Sequence, residues 1–455
     1  MAETPGERPP SAARRLLLTI GLALLGYLAG RLIGDVRIGQ IVTAGPYFVA
    51  ISALLAIGLY SSTHGIERSY LRGNVGTVVL AVTVGVFAKA LLISALMFAF
   101  FREHPEYIVL GAVVAQIDPL SVAALEKSSR MTKQGKALLL AWASFDDPVT
   151  TLLTVYAVSI ALAAGALGGA DAARLADGGL GAFGTGLTWN LLLAGAVFLV
   201  WVVAFRRAGT PEVRGGPGTS GSARSTAGFI AQCVVLTAVA ATAVWRFWML
   251  AIALIGLFLR PRSARDPDAF PRLLGRVTTM AFALATVGLG LILVLDVRWL
   301  PGLVLGCVAF AAQMLAGFML GRSQQPTDRV WLALAQQNGI TAIVLALLLE
   351  SGLPGTVAVV APGVLVINVL HVVFNGAYEA WTRRAGATMR KDRKGPEVSP
   401  APSRVSVASV VARSLTAPTA LYAPPSDLYS SPAEERSRKK RPGPVRVAKR
   451  PANGR

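Results

Sequence analysis

Apolar stretches of about bilayer length recur throughout this 455-residue chain, with almost no charge inside them. A helix needs about 20 mostly apolar residues to cross a bilayer, where no water satisfies a bare backbone. Candidate spans fall at 16–33, 41–61, 75–101, 107–126, 137–165, 184–205, 228–243, 247–259, 275–295, 299–320, 330–350 and 356–380, twelve in all. Composition agrees. Only 15% of residues are charged and 54% are hydrophobic, whereas soluble proteins carry about 25% charged residues. The chain is therefore expected to be an all-α polytopic membrane protein with about 12 transmembrane helices, and an ordinary soluble enzyme is excluded.

Two of these spans need argument. Residues 228–259 read as one long helix or two short ones. They are split at Trp245-Arg246-Phe247, because Arg246 would otherwise be stranded in lipid. The first span follows Arg14 and Arg15 as a signal peptide would, but eleven further spans make it the first membrane helix.

Lys and Arg orient the spans. The connections 62–74, 127–136, 206–227, 260–274 and 321–329 hold sixteen basic residues, and the alternate set holds six. The first set is expected in the cytoplasm with both termini, in a cell-membrane, multi-pass protein. The expected organisation is a cytoplasmic N-terminus (1–15), a six-helix half (16–205), a Gly/Ser-rich cytoplasmic linker (206–227), a second six-helix half (228–382) and a disordered basic tail (383–455). The tail carries 17 basic and 5 acidic residues, so it supplies +12 of the net +20. It is read as a solvated, topology-setting tail, with anionic lipid or RNA as its sharper alternatives.

Few charges lie deep in the spans: Lys89, Asp118, Asp146 and Asp147. A carboxylate at the bilayer centre costs at least about 2.5–3.5 kcal/mol. Such groups persist where they face a water-filled cavity, pair with a cation, or carry protons. A buried Lys89–Asp bridge that only fixes packing is the bland alternative, and it leaves two carboxylates unexplained. Asp118 precedes Pro119 in Gln116-Ile117-Asp118-Pro119, and Asp147 precedes Pro148 in Ser144-Phe145-Asp146-Asp147-Pro148. Proline removes a backbone donor and disfavours helix before it, so a helix break is expected at each. Gln336-Gln337-Asn338-Gly339-Ile340-Thr341 interrupts the eleventh span in the opposite half. The fourth and eleventh spans run in opposite directions. Interrupted helices at matching places in inverted repeats point to a secondary-transporter site.

These residues resemble the monovalent cation/proton antiporter superfamily over about 16–380. Ala115-Gln116-Ile117-Asp118-Pro119 is similar to the family's Thr-Asp-Pro element on an unwound fourth helix, with Ile117 in place of threonine. Ser144-Phe145-Asp146-Asp147-Pro148 is similar to its paired acidic motif. Gln337-Asn338-Gly339-Ile340-Thr341 falls where the second unwound helix crosses the first. The resemblance implies two crossed discontinuous helices lined by Gln337, Asn338, Gly339, Thr341, Pro119 and Pro148. It implies Na⁺/H⁺ or K⁺/H⁺ exchange, with the alkali cation or proton held at Asp147 and with Asp118 and Asp146 at the site. Electrogenic members often carry a lysine on the tenth helix. Here that helix has Gln313, and the intramembrane lysine is Lys89 on the third, expected to pair with Asp146. Gln313 and His371 are accessory candidates, each with helix packing as its bland reading.

The leading expectation is thus a secondary antiporter, not an enzyme. A sodium-coupled symporter of an organic anion is the runner-up, and a scaffold working through its tail is third. Monovalent cations, protons and membrane lipids are the expected partners, a homodimer is compatible with the sequence, and no nucleic acid is expected. No cofactor is expected: there is no phosphate-binding Gly-Lys-Ser/Thr loop. Cys233 and Cys307 lie in apolar runs and form no disulfide framework or zinc site. His64 and His104 fall at span ends.

Overall fold

The computed structural model describes residues 12–64, 75–118, 122, 131–163, 165, 180–206, 220–261, 266 and 268–393. The chain divides into two units, Met1–Ala387 and Thr388–Arg455, and the architecture below is that of the first. Every element among the described residues is helical. In chain order these are α1 (Ala12–Ile33), α2 (Asp35–Thr43), α3 (Gly45–His64), α4 (Val75–Leu80), α5 (Val86–Phe100), α6 (Leu110–Val114), α7 (Lys133–Ala163), α8 (Leu180–Val200), α9 (Ser220–Arg246), α10 (Met249–Phe258), α11 (Ala269–Ile292), α12 (Trp299–Leu320), α13 (Pro326–Ala333), α14 (Ile340–Glu350) and α15 (Thr356–Arg393). A π-helical turn, Ala81–Gly85, joins α4 to α5.

Among the described residues, nine helices are long and apolar enough to cross a membrane. Three shorter apolar helices, Pro105–Val114, Met249–Phe258 and Ile340–Glu350, fall in the fourth, eighth and eleventh expected spans. The protein is a multi-pass, all-helical membrane protein. Two helices show how one composition meets two fates. α1 is apolar all round, yet Leu17, Leu24, Leu28 and Leu32 stand exposed along it. In water such a face aggregates, whereas in lipid it is solvated. α14 is as apolar, and every residue of it is buried. It packs against α3, α6 and α11, so it forms the centre of the protein.

Close approach of helices uses small residues, as it does between membrane helices generally. α1 packs along α11. A Cβ on Gly290 would collide with the Ala23 backbone, and one on Gly26 with the Val287 backbone. Gly290→Leu should therefore push the two helices apart and destabilise the protein by at least about 1–3 kcal/mol. A fall in the thermal unfolding midpoint of detergent-purified protein checks this.

The 228–259 region divides at the expected Trp245-Arg246-Phe247. α9 ends there, Phe247 adopts a left-handed backbone (φ 56°), and α10 starts at Met249. Two helices reach past expected boundaries. The linker was expected to run to 227, but α9 begins at Ser220; residues 207–219 lie outside the described set. The apolar helix that follows propagates into the Ser/Ala-rich stretch, because extending a formed helix costs far less than starting one. Likewise α15 continues to Arg393, into the expected tail, and 394–455 lie outside the described residues.

Candidate functional site

Two helices end at non-helical segments that meet each other. α6 stops at Val114, and residues 115–118 leave the helix. α13 stops at Ala333, and 334–339 are non-helical until α14 begins. A helix end leaves carbonyls without partners, and buried ones must be satisfied. The two segments satisfy each other. The Asp118 N–H donates to the Gln337 carbonyl at 2.8 Å. Gln336 Nε2 lies 2.9 Å from both the Val114 and the Gln116 carbonyls, and 2.8 Å from Asn338 Oδ1. Asn338 Nδ2 donates to the Val114 carbonyl at 3.3 Å. Primary amides suit this task because one side chain both donates and accepts. Gly339 is there for space: an added Cβ would lie 2.5 Å from Asp118 Oδ1 and 2.8 Å from its Cβ. Pro119 lies outside the described residues.

α7 carries the paired aspartates past this meeting point. Asp146 is fully buried, and its Oδ2 accepts from Lys89 Nζ at 3.1 Å and from the Ile117 N–H at 2.9 Å. Lys89, on α5, also donates to Gln313 Oε1 at 3.0 Å and lies 5.1 Å from the centre of the Trp142 ring. Gln313 is fixed in turn by donating to the Leu332 carbonyl at 3.0 Å. One carboxylate, one amide oxygen and one aromatic face thus surround a single ammonium. The Ile117 peptide bonds Asp146 through its backbone, so replacing threonine by isoleucine at 117 leaves this contact intact.

Asp147 is buried as well, 2% exposed, and among the described residues it has no ion-pair partner. Its carboxyl faces the Asp118 carboxyl and the Thr341 hydroxyl. Among the described residues, three buried oxygens around this region lack a hydrogen-bond partner: Asp146 Oδ1, Gln336 Oε1 and Thr341 Oγ1. Unsatisfied buried oxygens are costly unless something else approaches them. Among the described residues no three acidic, His or Cys side chains converge as a multidentate metal centre.

The expected break at Asp147-Pro148 does not occur. α7 runs unbroken from Lys133 to Ala163 with Pro148 inside it, so Pro148 lines a continuous helix. The missing N–H removes one helical bond, at a cost of about 3 kcal/mol or more. Burial holds the helix against that cost: Ser144, Asp146, Asp147, Pro148, Thr150 and Thr151 are all buried. Thr150 Oγ1 donates to the Asp146 and Asp147 carbonyls (2.9 and 3.0 Å), and Thr151 Oγ1 to the Asp147 carbonyl (2.9 Å). The start of α7 is tied to α13 by Asp328, which accepts from the Thr132 N–H at 3.0 Å and from its hydroxyl.

The site includes residues that the sequence argument did not single out. Trp142 lies four residues before Asp146, hence on the same helical face, and that spacing was the available signal. Thr150 and Thr151 sit four residues after Asp146 and Asp147. His371 is not isolated in the core: Nδ1 lies 3.0 Å from the Gln336 carbonyl.

No family model and no curated protein matches this chain. Among the solved structures similar to it are two of the sodium proton antiporter MjNhaP1 from Methanocaldococcus jannaschii. The structure at pH 8 is 17% identical, covers 81% of this chain and 97% of that one, and superposes with a TM-score of 0.48. An electron-microscopy structure is 16% identical over 80% of this chain and 97% of that one, with a TM-score of 0.46. At these values no residue role passes from that protein to this chain, and the functional reading rests on the geometry above.

Proposed function

We propose that this protein is a secondary antiporter that exchanges a monovalent cation, Na⁺ or K⁺, for protons across the cell membrane. One observation carries the reading. Of two adjacent buried aspartates, Asp146 is neutralised by Lys89, while Asp147 has no cationic partner among the described residues and faces Asp118, in the first unwound segment, and Thr341, in the first turn of α14. A carboxylate there accepts a proton or a partly dehydrated alkali ion, but not both at once. Hard oxygen donors suit hard cations, and neutral oxygens from Thr341, Gln336 and free backbone carbonyls would complete the shell around an ion at Asp147. Asp118 would hold the second wall of the site. Lys89 would cancel Asp146, keeping one exchangeable charge available. In this proposal twelve crossings form two inverted halves with both termini cytoplasmic, and rocking of one bundle against the other exposes Asp147 to each side in turn.

Competition has a defined sign. Raising the pH removes the competing proton, so the half-saturating cation concentration should fall, by up to about tenfold per pH unit while protonation dominates. The test uses everted vesicles carrying a pH gradient. Adding Na⁺ or K⁺ without any organic solute should dissipate the gradient. A sodium-coupled symporter would need its organic anion first, and that result would displace the antiport reading.

A further inference from the structure

Helix α15 passes along the second unwound segment, and three of its polar side chains meet that segment in register. Asn368 Nδ2 donates to the Asn338 carbonyl at 3.1 Å, and Asn368 Oδ1 accepts from the Asn338 N–H at 3.2 Å. His371 Nδ1 lies 3.0 Å from the Gln336 carbonyl. A carbonyl only accepts, so this nitrogen carries the proton and donates. Asn375 Nδ2 donates to the Leu334 carbonyl at 2.8 Å. All three side chains are buried.

The match is geometric. Positions 368, 371 and 375 are spaced three and four apart, so they share one helix face. Both the N–H and the carbonyl of Asn338 face Asn368, while the Gln337 carbonyl faces the other way, the alternation of an extended chain. Leu334 (φ −90°, ψ 7°) is the turn that ends α13, and its carbonyl meets Asn375 from there. Helical steps of three and four residues rise about 4.5 and 6 Å, so the three side chains are spread along the segment. The intervening Gln337 carbonyl serves the other side, where it accepts from the Asp118 N–H at 2.8 Å. Residues 336–338 are therefore held like a short β-strand, with a helix's side chains replacing the neighbouring strand on one edge.

We propose that Asn368, His371 and Asn375 form a positioning ladder that keeps 334–339 in this non-helical path, with His371 as its central rung, and that this ladder sets the cation affinity of the site. The ladder rests on the antiport reading for its effect on transport, but not for its effect on the segment. Its residues touch neither cation nor transferred proton. They act through Gln336, whose amide holds the Val114 and Gln116 carbonyls, and through the placement of Gly339 and Thr341 beside Asp118 and Asp147. If the His371 donor is lost, the buried Gln336 carbonyl loses its partner, and the oxygens around Asp147 lose their spacing.

The experiment compares His371→Leu with His371→Asn. Asn places an amide N–H where the imidazole Nδ1–H stands, and Leu offers no donor. In everted vesicles, His371→Leu should raise the half-saturating Na⁺ or K⁺ concentration by about tenfold, the equivalent of one buried hydrogen bond. The maximal rate should stay near the parent's. His371→Asn should restore most of the affinity. In parallel, amide hydrogen exchange of the 334–339 peptide in purified protein should quicken in His371→Leu and stay near parental in His371→Asn. If His371→Leu does not fold, Asn375→Ala removes the outer rung and should shift both readouts in the same direction by less. Parental half-saturation and parental exchange in the Leu variant would overturn the ladder while antiport stands. An inactive parent would overturn the antiport reading, and the exchange result would still decide the ladder.

Discussion

Asp147→Asn should abolish cation-driven proton movement while the protein still folds, and should raise its thermal unfolding midpoint in detergent. The amide matches the carboxylate in shape but takes up neither proton nor charge, so nothing remains to exchange. The stability gain follows from the same burial. A buried carboxylate without a cationic partner among the described residues costs free energy in the folded state, and removing it relieves that cost. Loss of function together with gain of stability separates this residue from one that merely holds helices together, whose loss lowers both. Asp147→Glu should keep a titratable group but misplace it by one methylene, leaving transport with a weakened cation affinity. Transport assays in everted vesicles and thermal unfolding of purified protein check the two halves of the result.

Lys89→Met should be the most destabilising single change at the site, by about 3–5 kcal/mol, because it strands Asp146 as an uncompensated buried charge. Among the described residues Asp146 would keep only the Ile117 N–H, and its other oxygen has no partner there. Asp146→Asn alone strands the ammonium between Gln313 and Trp142. The double variant Lys89→Met/Asp146→Asn contains neither charge and should recover most of the loss, since replacing a buried ion pair by neutral groups is often close to neutral. A double-mutant cycle measured by thermal or denaturant unfolding gives the coupling, with a value well above the scatter of about 0.3–0.5 kcal/mol seen for independent sites. Additive single effects would mean that the pair contributes nothing beyond its separate members.

The sequence made the site's chemistry legible wherever a residue type is intolerable in lipid. Lys89 and the three aspartates stood out because charge in an apolar span demands an explanation, and the polar run 336–339 stood out for the same reason. The two interruptions at 115–118 and 334–339 were readable from Asp-Pro and from clustered amides with glycine. Pro148 misled, because local proline chemistry favours a break and only the packed, threonine-bonded turns around it override that preference. The linker boundary misled because Gly/Ser content says little about where a neighbouring helix stops. The His371 ladder was half visible: the polar spacing on α15 is in the sequence, but its partners are backbone carbonyls 30 to 41 residues away, and carbonyls leave no mark in composition.

The central claim is that a proton and an alkali cation compete for one buried carboxylate, and the most direct measurement is proton release on cation binding. Purified protein in weakly buffered detergent solution receives Na⁺ or K⁺ while the pH is recorded, beside Asp147→Asn. Competition predicts saturable acidification in the parent and none in the variant. Cation binding without proton release, or equal release from Asp147→Asn, would contradict it.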